Sequence, residues 1–146
     1  MKNTKNWVAR RSFAAILAVF ACGGRRVEAA ESSGFYRLET ALLEYGAVGH
    51  PQVVRVWVVP VGAWKINTKF PTELKVEAPA DVQVQKTVQR AGDAAVLRDD
   101  RAEFHITATP KKAGKYALTL EMKFGLCRKS ECIWRTERIA VKLQAR

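Results

Sequence analysis

Residues 53–143 alternate between apolar and polar positions in short runs separated by turn-forming residues. The clearest run is 53–59, because β-branched residues and a tryptophan fill it, and it predicts a central strand. The other predicted strands are residues 36–43, 73–77, 82–86, 94–97 and 103–109, with a polar loop at 89–93. No segment after residue 30 has the 3.6-residue period of a helix. We therefore expect an all-β fold, an immunoglobulin-like antiparallel β-sandwich of about seven strands.

The C-terminal part of the chain predicts a long hairpin whose register follows from its residue pattern. Residues 116–126 carry apolar side chains at every second position, and after the polar stretch 128–131 the chain returns through residues 132–141. If Cys127 lies opposite Cys132, one face of the hairpin is apolar and the other is polar. This register pairs Glu121 with Arg138, Gly125 with Trp134, Lys123 with Thr136, Leu126 with Ile133, Leu120 with Ile139 and Leu118 with Val141. Directly opposed β-carbons lie about 4.5–5.5 Å apart, which is near enough for a disulfide.

The first 29 residues have the composition of a signal peptide. Basic residues precede an apolar run that is too short to cross a bilayer as a stable helix, and Val27 and Ala29 stand where a signal peptidase reads the chain. We expect cleavage before Ala30. The sequence thus predicts an N-terminal signal helix at residues 1–29 and a single β-sandwich domain at residues 30–146, periplasmic or secreted.

Other interpretations of this leader remain open. The apolar run could be a buried N-terminal helix, and Arg10-Arg11 resembles a twin-arginine export signal. A lipid anchor on Cys22 is a third alternative, since VFACG at residues 19–23 resembles a lipoprotein cleavage site, although Phe20 is bulky where a small residue is usual. No other stretch is long enough to span a membrane, so we expect no membrane span in the mature protein.

Removal of the leader reduces the positive charge of the chain. The full sequence has 25 Lys and Arg against 14 Asp and Glu, a net charge of +11. Six of the basic residues and one acidic residue lie in the leader, which leaves 19 basic and 13 acidic residues, or +6. These charges are dispersed along the predicted strands without a basic cluster, so we expect no nucleic-acid partner.

The two cysteines that remain after cleavage admit two interpretations. A disulfide between them could be a structural staple, although closing so small a loop contributes only about 2 kcal/mol. It could instead be redox-active, because exposed bridges between adjacent strands are easily reduced. Arg128, Lys129 and Arg135 would favour the thiolate after reduction, and Glu131 would oppose it. The residues alone leave both interpretations open.

Several motifs occur in an order that resembles a known family. A Val-rich strand leads to GAWKIN at residues 62–67, then Phe70-Pro71, then APADV at 78–82, and finally the hairpin FGLCRKSECIW. Together they resemble the N-terminal immunoglobulin-like domain of the thiol–disulfide interchange protein DsbD. The resemblance implies that Cys127 and Cys132 are the catalytic pair. It also implies a membrane-bound electron donor and thioredoxin-like oxidoreductases as partners.

The sequence departs from this family at three points. Its cysteines are separated by one residue fewer, and residues 87–92, which we align with the family's aromatic capping loop, contain no aromatic residue. It also carries neither a membrane electron channel nor a thioredoxin-like domain, so we expect the donor to be a separate protein. The sequence favours an exported thiol–disulfide exchange domain. The alternative is a non-catalytic envelope binding module with a structural hairpin disulfide.

Other chemistry finds little support in the sequence. His50 and His105, the only histidines, could join the cysteines in a metal site, but their positions lack metal-ligand spacing. We expect no metal and no cofactor. Trp57, Trp64 and Trp134 are interpreted as aromatics of the core or of a strand face.

Overall fold

The computed structural model describes residues 27–43 and 46–146, with side chains from residue 33 onward. The apolar run of the leader, Arg10-Arg11 and Cys22 lie outside the described residues, and residues 27–29 begin the first strand. The strands are β1 (Val27–Ser32), β2 (Tyr36–Leu42), β3 (Gln52–Pro60), β4 (Lys65–Ile66), β5 (Glu73–Glu77), β6 (Val82–Val84), β7 (Val88–Arg90), β8 (Val96–Arg98), β9 (Arg101–Pro110), β10 (Gly114–Arg128) and β11 (Glu131–Ala145). A 3₁₀ turn, Ala91–Asp93, follows β7.

The strands form two antiparallel sheets. The first sheet has the order β1-β2-β3-β9-β6. Strand β6 pairs with the C-terminal end of β9, and β8 pairs with its N-terminal end. The second sheet has the order β11-β10-β5-β7, and β4 pairs with β10 beside its C-terminal end. The protein is an immunoglobulin-like β-sandwich, as its pattern predicts. The strand number exceeds the expected seven because β1 and the short strands β4 and β7 have no counterpart among the predicted strands.

The core lies between the two sheets and follows the period of two along each strand. In β3 the buried Val54, Val56 and Val58 alternate with residues of the outer face. Phe104 and Ile106 of the neighbouring β9 lie beside these valines in the same sheet. The second sheet contributes a fully buried row from β10: Leu118, Leu120, Met122, Phe124 and Leu126. Among the described residues, no helix is long and apolar enough to cross a membrane.

The predicted register of the C-terminal hairpin is confirmed at every pair. Cys127 lies opposite Cys132, Glu121 opposite Arg138, and all the other pairs match. The Arg138 guanidinium lies 3.7 Å from the Glu121 carboxylate and donates to Glu77 on β5 at 2.8 Å. Arg128 and Glu131 form the last pair of the hairpin. The chain turns tightly between them, and Lys129 in this turn adopts a positive φ of 53°. The cysteines are therefore the second pair from the tip of the hairpin.

Candidate functional site

The candidate site is a disulfide between Cys127 and Cys132 at the hairpin tip. Their Cα atoms are 4.1 Å apart, near the spacing of about 4.5 Å that is typical of a non-hydrogen-bonded antiparallel pair. Both sulfurs belong to the outer face of the second sheet, since the intervening Leu126 is buried in the core. Cys132 is exposed and Cys127 is half-buried. The bridge is therefore accessible to solvent, and unequally so at its two ends.

The two cysteines differ in what flanks them along the sheet. Cys132 belongs to β11, the edge strand, and β10 is the strand that pairs with it at this end. Cys127 belongs to β10, and Lys65 of β4 lies directly opposite it on its other side. The backbone N–H of Asn67, which follows β4, donates to the Gly125 carbonyl of β10 at 2.9 Å and extends the pairing of the two strands. One sulfur therefore faces an open sheet edge, and the other faces a neighbouring strand.

An open depression of about 340 Å³ borders Cys127 on the β4 side. Its wall contains three lysines, Lys65, Lys69 and Lys129, and one carboxylate, Asp99. The Lys65 ammonium lies 3.8 Å from the Asp99 carboxylate, and both side chains are largely exposed. The surroundings of Cys127 therefore carry an excess of positive charge, which favours the thiolate form of a cysteine.

Of the three cations expected beside the sulfurs, two point elsewhere. Arg135 shares the inner face of β11 with Ile133, and its guanidinium lies 5.5 Å from the centre of the Phe35 ring. The Arg128 guanidinium lies 4.9 Å from the Trp64 ring and donates to Glu131 at 3.2 Å. Lys129 alone of the three lines the depression with Cys127. No local pattern predicts that Lys65 lies beside Cys127, because this contact depends on the pairing of β4 with β10.

Two aromatic side chains flank the cysteines on the outer face. Phe70 packs so closely on Gly125 that a β-carbon at that position would lie 2.7 Å from the ring. Trp134, opposite Gly125, is 62% exposed and is therefore a strand-face residue rather than a core residue. Residues 87–92, which were aligned with a capping loop, include β7, and β5 separates that strand from β10. An aromatic side chain beside the cysteines thus comes from Phe70, in another segment.

A second polar cluster lies on the outer face of the first sheet. The carboxylate of Glu103, a residue 5% exposed, accepts hydrogen bonds from Arg55 at 2.6 and 3.0 Å and lies 2.7 Å from Arg101. Both guanidinium groups stack on Trp57, at 4.7 and 5.2 Å from its centre. Burial, the largest single effect, raises the pKa of Glu103. The hydrogen bonds from Arg55 and His105 and the charges of the two arginines outweigh it, so that the pKa is lowered.

The two histidines lie apart from the cysteines. His105 is on β9 of the first sheet, where its Nε2 lies 2.8 Å from Glu103, and His50 is exposed in a loop. Within the described ranges, no three His, Cys, Asp or Glu side chains are grouped closely enough to hold a metal ion.

Comparisons with known proteins give limited information. No family model matches the sequence, and no curated protein matches it. Solved structures with related backbones include the GAE domain of GGA2p from Saccharomyces cerevisiae, with a TM-score of 0.48 and 8% identity over 81% of this chain and 97% of that chain. The yeast GGA1 GAE domain has a TM-score of 0.42 and 12% identity, covering 81% and 98%. WR4, an MSP family member from C. elegans, has a TM-score of 0.38 and 11% identity, covering 70% and 91%. The fold assignment rests on the strand pairing described above.

Proposed function

We propose that this protein is an exported thiol–disulfide exchange domain that passes reducing equivalents between envelope proteins through Cys127 and Cys132. The observation that carries the proposal is the accessibility of the disulfide, because an exposed bridge is one that a partner's thiolate can reach. The order of the sequence motifs, which resembles that of the N-terminal DsbD domain, points to the same chemistry. The partners would be thioredoxin-like or membrane-bound thiol–disulfide oxidoreductases.

The open edge of the second sheet favours attack on Cys132. A thiolate displaces a sulfur along the extension of the S–S axis, and the extension beyond Cys132 leads past β11 to the sheet edge. A partner thiolate that attacks Cys132 Sγ forms a mixed disulfide and releases Cys127 as a thiolate. The partner's second thiolate then attacks its own sulfur in that bond and releases Cys132. Two electrons have then moved from the partner to this domain, and each released thiolate takes up one proton.

The charges around Cys127 suit it to the role of leaving group. Exchange is faster when the departing thiol has a lower pKa, and nearby cations lower that pKa. Lys65 lies opposite Cys127, and Lys129 lines the same depression. This asymmetry supports the proposal that the partner attacks Cys132 and that Cys127 departs.

The reduction potential tests whether the bridge exchanges at all. Equilibration of the protein with a glutathione redox series should give a potential clearly more oxidising than about −300 mV, the range below which structural disulfides lie. A value below that limit would overturn the proposal and support the alternative, a binding module with a structural bridge.

The assignment of roles is tested with single-cysteine variants. A purified thioredoxin-like protein whose attacking cysteine carries a thionitrobenzoate group should react with Cys127→Ala through Cys132 and release the coloured anion. At a pH high enough to ionise both thiols, the matched variant Cys132→Ala should react more slowly, because Cys127 is half-buried. Equal rates, or no reaction by either variant, would contradict the assignment.

A further inference from the structure

The depression beside Cys127 has features of a ligand site of its own. Its volume of about 340 Å³ falls within the range of small-molecule sites, roughly 300–1,000 Å³. Polar groups of Asn67 and Thr68 line it together with the lysines. A protein partner approaching the sheet edge at Cys132 would leave this space unoccupied, because it lies on the other side of β10.

The charge of the depression selects for an anion. Three lysines against one carboxylate give a local net charge of +2 in the wall. Asp99 is paired with Lys65 at 3.8 Å. Among the described residues, no ion pair within 4.0 Å involves Lys69 or Lys129, so their ammonium groups are available to an incoming carboxylate.

The depression also lies in the direction from which Cys127 itself can be attacked. A thiolate attacking Cys127 Sγ must approach from the side opposite Cys132, which is the β4 side. That side offers a space of small-molecule size with Cys127 in its wall. The two sulfurs are thus reached from opposite directions, one over an open edge and one through a positively charged depression.

We propose that the depression binds a low-molecular-weight thiol carrying carboxylate groups, which attacks Cys127 and serves as a second reductant of the pair. The proposal rests on the proposed function insofar as the bridge must be reducible. The thiolate forms a mixed disulfide with Cys127, and Cys132 leaves as a thiolate and takes up a proton. A second molecule of thiol then attacks the sulfur of the first, giving its symmetric disulfide and the Cys127 thiolate, which takes up a proton.

The test compares an anionic with a neutral thiol as reductants of the full protein. For each thiol, glutathione or 2-mercaptoethanol, the rate of reduction of the protein is divided by the rate at which the same thiol reduces a neutral linear disulfide. The quotient for glutathione over that for 2-mercaptoethanol is the preference of the protein for the anionic thiol, and the intrinsic reactivity of each thiol cancels from it. We expect the Lys69→Gln/Lys129→Gln variant to lose about three- to fivefold of that preference at low salt. The control variant, Lys115→Gln/Lys142→Gln, removes the same charge at the far end of the hairpin and should retain it. An equal loss in both variants, or no loss in either, would overturn the proposal.

The position of the first adduct separates this proposal from the proposed function. Rapid alkylation and mass spectrometry should find glutathione on Cys127, whereas a thioredoxin-like partner should be found on Cys132. Adducts of glutathione on Cys132 alone would refute the depression as its site and leave protein exchange intact. A potential below about −300 mV would refute both proposals, because glutathione could not then reduce the bridge. Glutathione on Cys127 with no thioredoxin-like partner on Cys132 would refute protein exchange and leave the site standing.

Discussion

Removal of the Cys127–Cys132 bridge should cost the fold little. The bridge joins residues five positions apart, so the loop that it closes contains about six residues. In the chain-entropy description such a loop lowers the entropy of the unfolded chain by about 7 cal/mol/K, or about 2 kcal/mol near room temperature. The core does not depend on the sulfurs, since Leu126 and Leu120 are buried on the opposite face of β10. We therefore expect the Cys127→Ala/Cys132→Ala variant to be folded and about 2 kcal/mol less stable.

The stabilisation of about 2 kcal/mol also constrains the reduction potential of the bridge, because folding and reduction form a thermodynamic cycle. If the bridge stabilises the folded state by about 2 kcal/mol, its potential is about 45 mV more reducing in the folded protein than in the unfolded chain. Any unfavourable contact that the bridge imposes on the hairpin reduces both the stabilisation of the fold and this difference in reduction potential. A bridge that exchanges should therefore stabilise the fold by no more than the loop-closure value.

Urea unfolding followed by tryptophan fluorescence measures this difference directly. The oxidised protein, the reduced protein and the double alanine variant are compared, and the slope with urea should be the same for the two proteins without a bridge. Their stabilities should agree within about 0.5 kcal/mol. A loss of 4 kcal/mol or more, or unfolding upon reduction, would refute the reasoning, because each turn of an exchange cycle would then unfold the domain.

Two further predictions concern residues outside the bridge. Gly125→Ala should cost about 1–3 kcal/mol because its β-carbon would overlap Phe70, whereas Gly92→Ala, which meets no atom within 4 Å, should be neutral or slightly stabilising in the same urea experiment. The pKa of the Glu103 carboxyl is lowered in the folded state, so this group should stabilise the protein at pH values above its ordinary pKa of 4.5 and lose that contribution as the pH falls through the lowered pKa. The Glu103→Gln variant should therefore be about 2 kcal/mol less stable than the native protein at neutral pH. A stability difference between the two proteins that does not shrink on acidification would contradict this.

The hairpin register could be predicted because it depends on local pattern. Strand pairing through a tight turn needs no information from elsewhere, and the period of two makes a slip by one residue costly. The apolar face of β10 and the opposite charges of Glu121 and Arg138 both fixed the same alignment. The fold class followed in the same way from the spacing of short alternating runs.

The surroundings of the site could not be predicted because they depend on distant segments. Lys65 and Phe70 reach the cysteines through the pairing of β4 with β10, about sixty residues away in sequence. Arg135 is close to Cys132 in sequence and was therefore expected beside the sulfurs. Its side chain lies on the other face of β11, because successive residues of a strand face opposite sides. Polarity predicts a loop at residues 89–93, but Gln89 is buried in β7, where its amide donates to the His105 carbonyl.

Strand pairing holds the two cysteines together independently of the S–S bond. The pairing of β10 with β11 continues on both sides of the cysteines and extends to Ala145, so reduction leaves the two thiols opposite one another. Groups held in reacting geometry reform their bond without a search, and the domain can alternate between dithiol and disulfide with its fold unchanged. A staple stabilises most where it closes a long, otherwise free loop, whereas this one closes a short turn that strand pairing already orders. The bridge therefore adds little stability that the hairpin lacks, which agrees with the exchange role proposed for it.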